Sequence, residues 1–272
     1  MIPTAKKTIT RENVSYTIGS TTQLPTAIIL AGGLSTRMGC CKQLRPLCGK
    51  PLIQYVLETL LEAGLTHLVI TVNAETQQPI EAIIDQLRQK HPVSDSSLQG
   101  AAAEAGISQS VRISNSFRAF PPFRCDIVLN PEPERGQGYS AALAVRAACA
   151  RQPELLTANT ARTGSPSGFL FCTADQPFLQ ATSVRELCSV SHSNPGYIVS
   201  AAFNGKHRSP VIFPAALADE LSRLGGNIGG RTVMNAHPDL ILYVPLHSEM
   251  EAFDIDTPED FKRAESEYNY EL

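Results

Sequence analysis

A short apolar segment that runs directly into a glycine-rich loop constrains the fold of this chain most strongly. Residues 27–30 (Ala-Ile-Ile-Leu) predict a buried strand, and Gly32 and Gly33 follow it. Glycine has no Cβ, so the backbone at this turn allows a ligand to approach closely. The loop then carries two cations, Arg37 and Lys42. Because successive backbone N–H groups with nearby cations form an anion cradle, the segment predicts a binding site for a triphosphate.

Strand and helix patterns alternate along the rest of the chain. Apolar runs predict strands at 67–72, 126–129, 168–172 and 240–244, and helical periodicity covers 52–63, 80–90, 139–150 and 258–267. A hairpin is predicted around Asn204-Gly205, joining 197–203 to 210–213. This order predicts an α/β protein with a mostly parallel sheet, helices on both faces and one small antiparallel hairpin.

Small or polar residues follow four of the predicted strands. They are Gly32-Gly33, Asn73, Asn130 and Asp175. Ligands of open α/β sheets bind beyond the carboxyl ends of the strands, where the strand order reverses. We therefore expect these positions to converge on one rim of the sheet.

The length of 272 residues suits one large domain. Residues 1–25 are polar and lack the apolar core of a signal peptide, so we predict a flexible N-terminal extension followed by a single domain over 26–268. Residues 91–124 are rich in Ser, Ala, Gly and Pro, which indicates an insertion, partly helical around 97–106.

Composition excludes several classes of partner. The formal charge is −3, which gives no electrostatic reason to expect nucleic acid or an anionic membrane. No apolar run reaches the roughly 20 residues that a membrane-spanning helix needs. The seven cysteines form no Cys-x-x-Cys pair, so we expect free thiols and a cytoplasmic location.

The full loop motif, Leu-Ala-Gly-Gly-x-Ser-x-Arg-Met-Gly-x-x-Lys over residues 30–42, is neither a Walker loop nor a Gly-x-Gly-x-x-Gly dinucleotide motif. It resembles the opening motif of the MobA-like nucleotidyltransferases, which include the molybdenum cofactor guanylyl- and cytidylyltransferases. Later segments that extend the resemblance are 49–52, 136–140, 172–178, 208–213, 226–231 and 254–260. The resemblance covers about residues 26–266 and implies a Rossmann-like nucleotidyltransferase fold.

Different segments resemble different branches of this family. The sequences Asp-Gln-Pro-Phe, Gly-x-x-Gly-x-Arg and Asp-Ile-Asp-Thr-Pro-Glu-Asp are similar to the cytidylyltransferases. The opening Leu-Ala-Gly-Gly is similar to the guanylyltransferases, because cytidylyltransferases often have Ala-Ala-Gly there. The identity of the base stays open at this point.

Two aspartates are the predicted metal ligands. Asp175 ends an apolar strand, and the following Gln-Pro stops regular sheet, so its carboxylate either points into the rim or makes a turn. The resemblance implies that Asp175 and Asp256 hold Mg²⁺ and that Asp254 lies behind them. It also implies that Arg37 and Lys42 clamp the triphosphate, which makes Arg37, Lys42 and Asp175 the catalytic set.

We expect the nucleotide and the acceptor to bind to separate sets of residues. The expected nucleotide-binding residues are Leu30, Ala31, Gly32, Gly33, Asn73, Asn130, Gly138 and Ser140. Each Asn is equally suited to forming a turn, and Ser140 to capping a helix. Arg208 and Arg231 lie in the second half and suit a phosphorylated pterin acceptor, with His207 as a neighbour that is alternatively a solvated turn residue.

The sequence therefore predicts a Mg²⁺-dependent enzyme that transfers CMP from CTP to the terminal phosphate of molybdenum-molybdopterin. A molybdoenzyme or its maturation chaperone is a further expected partner. The alternatives are the same transfer from GTP, a sugar-phosphate nucleotidyltransferase, a nicotine-blue-type oxidoreductase, and a non-catalytic molybdenum cofactor carrier. The last two have less support, because no dinucleotide fingerprint is present and a carrier needs no metal site beside a triphosphate cradle.

Overall fold

The computed structural model describes residues 7–9, 24–33, 41–89, 120–151, 168–227 and 229–270. Within these ranges the strands are β1 (Lys7–Thr8), β2 (Thr26–Leu30), β3 (Pro46–Leu47), β4 (Lys50–Pro51), β5 (His67–Val72), β6 (Arg124–Leu129), β7 (Gly168–Thr173), β8 (Ile198–Phe203), β9 (Lys206–Pro214) and β10 (Ile241–Pro245). The α-helices of the described residues are α1 (Leu52–Glu62), α2 (Gln77–Gln89), α3 (Gln137–Arg151), α4 (Ala181–Ser193), α5 (Ala218–Ser222), α6 (Arg231–Ala236) and α7 (Pro258–Tyr270). None of these helices is long and apolar enough to cross a lipid bilayer.

Eight strands form one sheet in the order β1-β10-β8-β9-β7-β2-β5-β6. Every neighbouring pair is parallel except those of β9, which runs antiparallel to both β7 and β8. The predicted hairpin is confirmed, and its turn residues Asn204 and Gly205 have positive φ angles of 49° and 70°. The second strand of the hairpin lies inside the main sheet, between β7 and β8.

Apolar layers cover both faces of the sheet because the side chains of each strand alternate. In β2, Ala27 and Ile29 pack in the cluster that holds α1, α2 and α4, whereas Ile28 packs on the other face with α3 and α5. A third cluster joins Leu52 of α1 to α7 and includes Ile255, which is fully buried. This third cluster fixes the segment that carries Asp254 and Asp256.

Several element boundaries differ from the prediction. Helix α2 begins at Gln77 rather than residue 80, and α4 was not predicted at all. Strand β6 begins at Arg124, whose N–H donates to the Thr66 carbonyl at 2.7 Å, so the predicted insertion over 91–124 overlaps the strand. As the outer strand of the sheet, β6 has room for this arginine at the solvent boundary. The helix predicted around 97–106 lies outside the described residues.

Part of the predicted N-terminal extension adds a strand to the sheet. Lys7 and Thr8 pair in parallel with Leu242 and Tyr243 of β10. The N–H of Ile9 donates to the Tyr243 carbonyl at 3.0 Å. Residues 7–9 therefore lie at the opposite edge of the sheet from β6.

Candidate active site

The carboxyl ends of the central strands meet at one rim, as the sequence predicts. The N–H of Ala31 donates to the Thr71 carbonyl at 3.0 Å, and the N–H of Asn130 donates to the Val72 carbonyl at 2.7 Å. A Cβ on Gly32 would lie 3.4 Å from the carbonyl carbon of Val72 and 3.7 Å from the Cβ of Asn130. The glycine turn after β2 is thus packed against the ends of β5 and β6.

The two rim asparagines shape the backbone around them. The Oδ1 of Asn73 accepts from the N–H groups of Glu75 and Thr76 at 3.0 and 2.9 Å, which caps the approach to α2. The Oδ1 of Asn130 accepts from the N–H of Glu132, and its Nδ2 donates to the Ser140 hydroxyl, both at 2.9 Å. These are turn-forming roles, so contacts of the three side chains with a base or ribose stay a prediction.

Gly138 packs against a second loop instead of facing a ligand with its N–H. That N–H donates to the carbonyl of Gly226 at 2.8 Å, and a Cβ on Gly138 would lie 2.5 Å from the carbonyl oxygen of Gly225. The N–H of Ser140 is directed at the Gly136 carbonyl at 3.4 Å. Both N–H groups predicted for the base are therefore engaged within the protein in this arrangement.

Lys42 links the glycine-rich loop to the two predicted metal ligands. Its Nζ donates to Asp175 Oδ2 at 2.6 Å and to Asp256 Oδ1 at 2.7 Å. It also donates to the carbonyl of Ile255 at 3.1 Å. The neighbouring Gln43 donates from Nε2 to the Ala31 carbonyl at 2.9 Å, which ties the turn at Lys42–Leu44 to the end of β2. Arg37, the other predicted clamp residue, lies outside the described residues.

The segment around Asp256 is held from both sides. The N–H of Ile255 donates to the Asp175 carbonyl at 3.1 Å, which joins this segment to the end of β7. At the start of α7, the Thr257 hydroxyl accepts from the N–H of Asp260, and Asp260 accepts in return from the N–H groups of Asp256 and Thr257. This reciprocal capping confirms the predicted helix start and fixes the backbone that carries Asp256.

Electrostatic interactions dominate this cluster. Burial pulls the pKa of the Lys42 ammonium down, but attraction to and hydrogen bonds with Asp175 and Asp256 outweigh it, so its pKa lies above the ordinary value. Burial and then repulsion from Asp175 and Asp256 raise the pKa of Asp254 to about 6. Three carboxyl groups thus share one ammonium group.

The residues of the cluster fit a divalent cation. Asp175 is only 9% exposed, and its Oδ1 has no hydrogen-bond partner among the described residues. Carboxylate and carbonyl oxygens are the ligands that Mg²⁺ prefers, and Mg²⁺ typically uses one or two carboxylates plus substrate phosphates. In the described part of the chain, no group of three or more His, Cys, Asp or Glu side chains is arranged around one metal position. The two carboxylates that pair with Lys42 are within the number that Mg²⁺ uses when phosphate oxygens supply further ligands.

A cleft of about 420 Å³ adjoins this cluster, between β7, β9 and the loop before α6. Both predicted acceptor residues, Arg208 and Arg231, line it together with His207 and Asp254. Its apolar wall consists of Leu30, Phe171, Val211, Phe213 and Met234. The cleft thus has the arginines, the end of β2 at Leu30 and Asp254 along one continuous wall.

Sequence reasoning missed two amide side chains of this cleft, Gln137 and Asn227. Gln137 begins α3 inside the motif Gly-Gln-Gly-Tyr-Ser, and Asn227 lies in the loop that packs on Gly136. Each of the two residues follows a glycine in a loop, and this is the sequence signal that could have indicated a binding role. Their convergence depends on the packing of two loops that are far apart in sequence.

Comparison with known proteins shows the family of this chain. A family model described as the MobA-like NTP transferase domain matches residues 27–240. The chain belongs to the MobA-like NTP transferase family. Its motif resemblance and its sheet are both accounted for by this membership.

Two relatives of this chain have names that describe different activities. The nicotine blue oxidoreductase of Paenarthrobacter nicotinovorans is 27% identical over 253 residues, which cover 89% of this chain and 98% of that protein. The molybdenum cofactor guanylyltransferase of Xanthomonas euvesicatoria pv. vesicatoria is 44% identical over 48 residues, or 18% of this chain and 25% of that protein.

Solved structures share the fold. Rv0371c from Mycobacterium tuberculosis H37Rv is 20% identical, superposes with a TM-score of 0.61, and covers 91% of this chain and 100% of its own. Its complex with manganese gives a TM-score of 0.57 at 19% identity, over 90% and 99% of the two chains. These likenesses show that the Rossmann-like nucleotidyltransferase fold predicted from the sequence is correct.

Proposed function

We propose that this protein transfers CMP from CTP to the terminal phosphate of a molybdenum-bearing pterin and releases pyrophosphate. The observation that carries the proposal is the position of Lys42 between Asp175 and Asp256, directly beside the glycine turn. A cation, two carboxylates and a glycine-rich loop at one rim are the groups that phosphoryl-type transfer requires.

The reaction needs positioning more than covalent catalysis. The acceptor phosphate carries its own negative charge, so it attacks the α-phosphate in line without a side-chain nucleophile. The backbone of Leu30, Ala31, Gly32 and Gly33 would hold the triphosphate, with Arg37 and Lys42 as the clamp. Asp175 and Asp256 would hold Mg²⁺. When bound, this ion neutralises the charge on the reacting phosphates.

A divalent cation is further supported by the manganese complex of Rv0371c, which shares this fold. Mg²⁺ is our choice because it is the usual partner of nucleoside triphosphates. The cytoplasm is the expected compartment, because the cysteines in the described residues form no disulfide bond with one another.

The adjoining cleft suits the acceptor. Arg208 and Arg231 offer guanidinium groups to an anion, and the apolar wall offers a surface to a ring system. A pterin with a terminal phosphate has both features. The product of this transfer would be a dinucleotide cofactor, to be received by a molybdoenzyme or its maturation chaperone.

The choice of CTP rests on three segments that resemble the cytidylyltransferase branch, at 175–178, 226–231 and 254–260. The short similarity to a guanylyltransferase keeps GTP as the nearest alternative. A sugar phosphate as acceptor would use the same nucleotide chemistry.

A second candidate function is an oxidoreductase reaction like that of the nicotine blue oxidoreductase, which aligns along nearly the whole chain. The chain has no Gly-x-Gly-x-x-Gly motif after a strand, which is the usual cradle for a dinucleotide. The paired carboxylates around Lys42 favour the transferase.

The test is pyrophosphate release from each nucleoside triphosphate with Mg²⁺, with and without the molybdenum-bearing pterin. Asp175→Asn is compared with Asp239→Asn, an exposed aspartate outside the cleft. We expect acceptor-dependent release from CTP that is lost only in Asp175→Asn. Release from GTP alone would keep the reaction and change the base. No release from any nucleotide, together with oxidation of NADH or NADPH by an oxidised pigment, would favour the oxidoreductase.

A further inference from the structure

The ammonium of Lys42 lies at the point where three oxygen atoms converge. These are Oδ2 of Asp175, Oδ1 of Asp256 and the carbonyl oxygen of Ile255, at 2.6, 2.7 and 3.1 Å. A Mg²⁺ ion bound by the same oxygens would lie about 2.0–2.1 Å from each of them. Such an ion would need to approach these oxygens through the space that the ammonium nitrogen occupies, and two cations this close would repel each other strongly. The two cations therefore compete for the same oxygens.

We infer that Lys42 is a built-in competitor of the divalent cation, and that the Ile255 carbonyl is a third oxygen ligand beside the two carboxylates. In the ligand-free protein the ammonium takes the metal position, and it must leave the carboxylates before a metal–nucleotide complex binds. The inference rests on the proposed function, because it takes Asp175 and Asp256 as the metal ligands.

The charges of the cluster explain why a lysine would hold this position. The carboxylates of Asp175 and Asp256 repel each other, and the one ammonium group that pairs with both relieves part of that repulsion. Once Lys42 leaves, its charge becomes available to the triphosphate at the neighbouring glycine turn. Metal arrival and formation of the phosphate clamp would thereby be linked.

The backbone that carries these oxygen atoms is held by contacts that do not involve Lys42. The N–H of Ile255 donates to the Asp175 carbonyl at 3.1 Å, and the Ile255 side chain is fully buried. The Asp256 N–H is held by Asp260 at 3.1 Å. Removal of the ammonium alone therefore leaves the backbone of Asp175, Ile255 and Asp256 in place, and both carboxylates stay within reach of a metal ion. This makes the competition measurable.

The experiment measures the dissociation constant of Mn²⁺ from the nucleotide-free protein. The electron paramagnetic resonance signal of free Mn²⁺ reports how much of the ion remains unbound. Lys42→Met removes the ammonium and keeps an unbranched side chain. Lys50→Met is the matched control, since Lys50 also pairs with a carboxylate, Glu58 at 2.7 Å, but lies outside the cluster. We expect Lys42→Met to bind Mn²⁺ at least tenfold more tightly than the wild type, and Lys50→Met to match the wild type. Equal or weaker binding by Lys42→Met would overturn the inference.

Thermal unfolding guards against a simple folding defect. Without Mn²⁺, Lys42→Met should unfold at a lower temperature than the wild type, because its carboxylates repel one another. At one fixed Mn²⁺ concentration, the unfolding temperature of Lys42→Met should rise by more than that of the wild type, because a ligand that binds the folded state more tightly stabilises it more. Adding Asp175→Asn to Lys42→Met should remove that gain.

The outcome is separable from the transferase proposal. If Lys42→Met binds no Mn²⁺, the competition is overturned, whatever the enzyme does. Pyrophosphate release by the wild type with Mg²⁺ would in that case still support nucleotidyl transfer. Tighter Mn²⁺ binding by Lys42→Met, together with no pyrophosphate release by the wild type, would support the competition and contradict the transferase.

Discussion

The negative charge of the Asp254 carboxylate is unfavourable where it lies in the folded protein. It is accessible to solvent, but it lies in the wall of the cleft near Asp175 and Asp256. Burial and repulsion raise its pKa from the ordinary 3.8 to about 6. A carboxyl group with a raised pKa in the folded state destabilises that state once it ionises.

Asp254→Asn should therefore raise the unfolding temperature of the ligand-free protein at pH 7.5. The folded state binds the proton more tightly than the unfolded state, so the wild type loses stability as pH rises from about 4 to about 6. The difference in stability between the variant and the wild type should be absent near pH 4, grow between about pH 4 and pH 6, and stay constant at higher pH. Because the group is solvent-accessible, we expect a gain on the order of 1 kcal/mol.

The measurement is thermal unfolding between pH 4 and pH 8, with Asp239→Asn as an exposed control. The control should follow the wild type at every pH. A variant at Asp254 that is less stable than the wild type at pH 7.5 would contradict this assignment of charge repulsion.

At the level of elements, two loops that line the cleft are in close backbone contact with each other. The start of α3 at Gly136 and Gly138 packs directly on Gly225 and Gly226 of the loop before α6. This contact holds Gln137 against the cleft that Arg231 lines. The start of α3 and the loop before α6 thus share one packing surface.

Gly138→Ala should destabilise the protein by about 1–3 kcal/mol, because its Cβ would lie 2.5 Å from a backbone oxygen. In an unobstructed helix the same change would stabilise, since alanine is the better helix former. Gly225→Ala is the control, because a Cβ there would meet no atom within 4 Å. Urea unfolding of both variants tests this, and equal stability would show that the loops separate easily.

A buried glutamate positions the start of α4. Glu251 is fully buried, and its carboxylate accepts from the N–H of His247 at 2.9 Å and is directed at the N–H of Gln180 at 3.4 Å. Gln180 is the residue before α4 and makes no side-chain cap of its own. Glu251 therefore supplies the missing cap from a distant part of the chain.

Glu251→Ala should lower the free energy of unfolding by about 1–2 kcal/mol, because two partly buried N–H groups lose their acceptor. Glu251→Gln keeps one acceptor oxygen and should lose less than half of that amount. Chemical denaturation of the two variants measures the difference. Equal losses would mean that the charge of Glu251, rather than its hydrogen bonds, stabilises the helix start.

At the scale of the whole molecule, strand β2 divides the site into two halves. On one side, β5 and β6 bring Asn73 and Asn130 to the glycine turn. On the other side, β7 and β9 carry Asp175 and Arg208 toward the cleft. A donor nucleotide on the first side and an acceptor on the second would meet beside Lys42.

Much of this arrangement follows from the sequence because apolar runs and strand ends are local features. The runs at 27–30 and 67–72 gave their strands directly, and parallel pairing then placed Asn73 and Asn130 at one rim. Helix α4 was missed because its serine-rich sequence resembles a loop, although Val184, Leu187 and Cys188 have helical spacing. The ion pairs of Lys42 join residues more than 130 positions apart, so no local pattern could give them.

The most direct test of nucleotidyl transfer follows the α-phosphate itself. CTP labelled with ³²P at the α-position or at the γ-position is incubated with the enzyme, Mg²⁺ and the molybdenum-bearing pterin. We predict that the α-label moves to the pterin while the γ-label leaves as pyrophosphate. A γ-label on the pterin, or an α-label that stays on CTP while the pterin is intact, would contradict nucleotidyl transfer as the function of this protein.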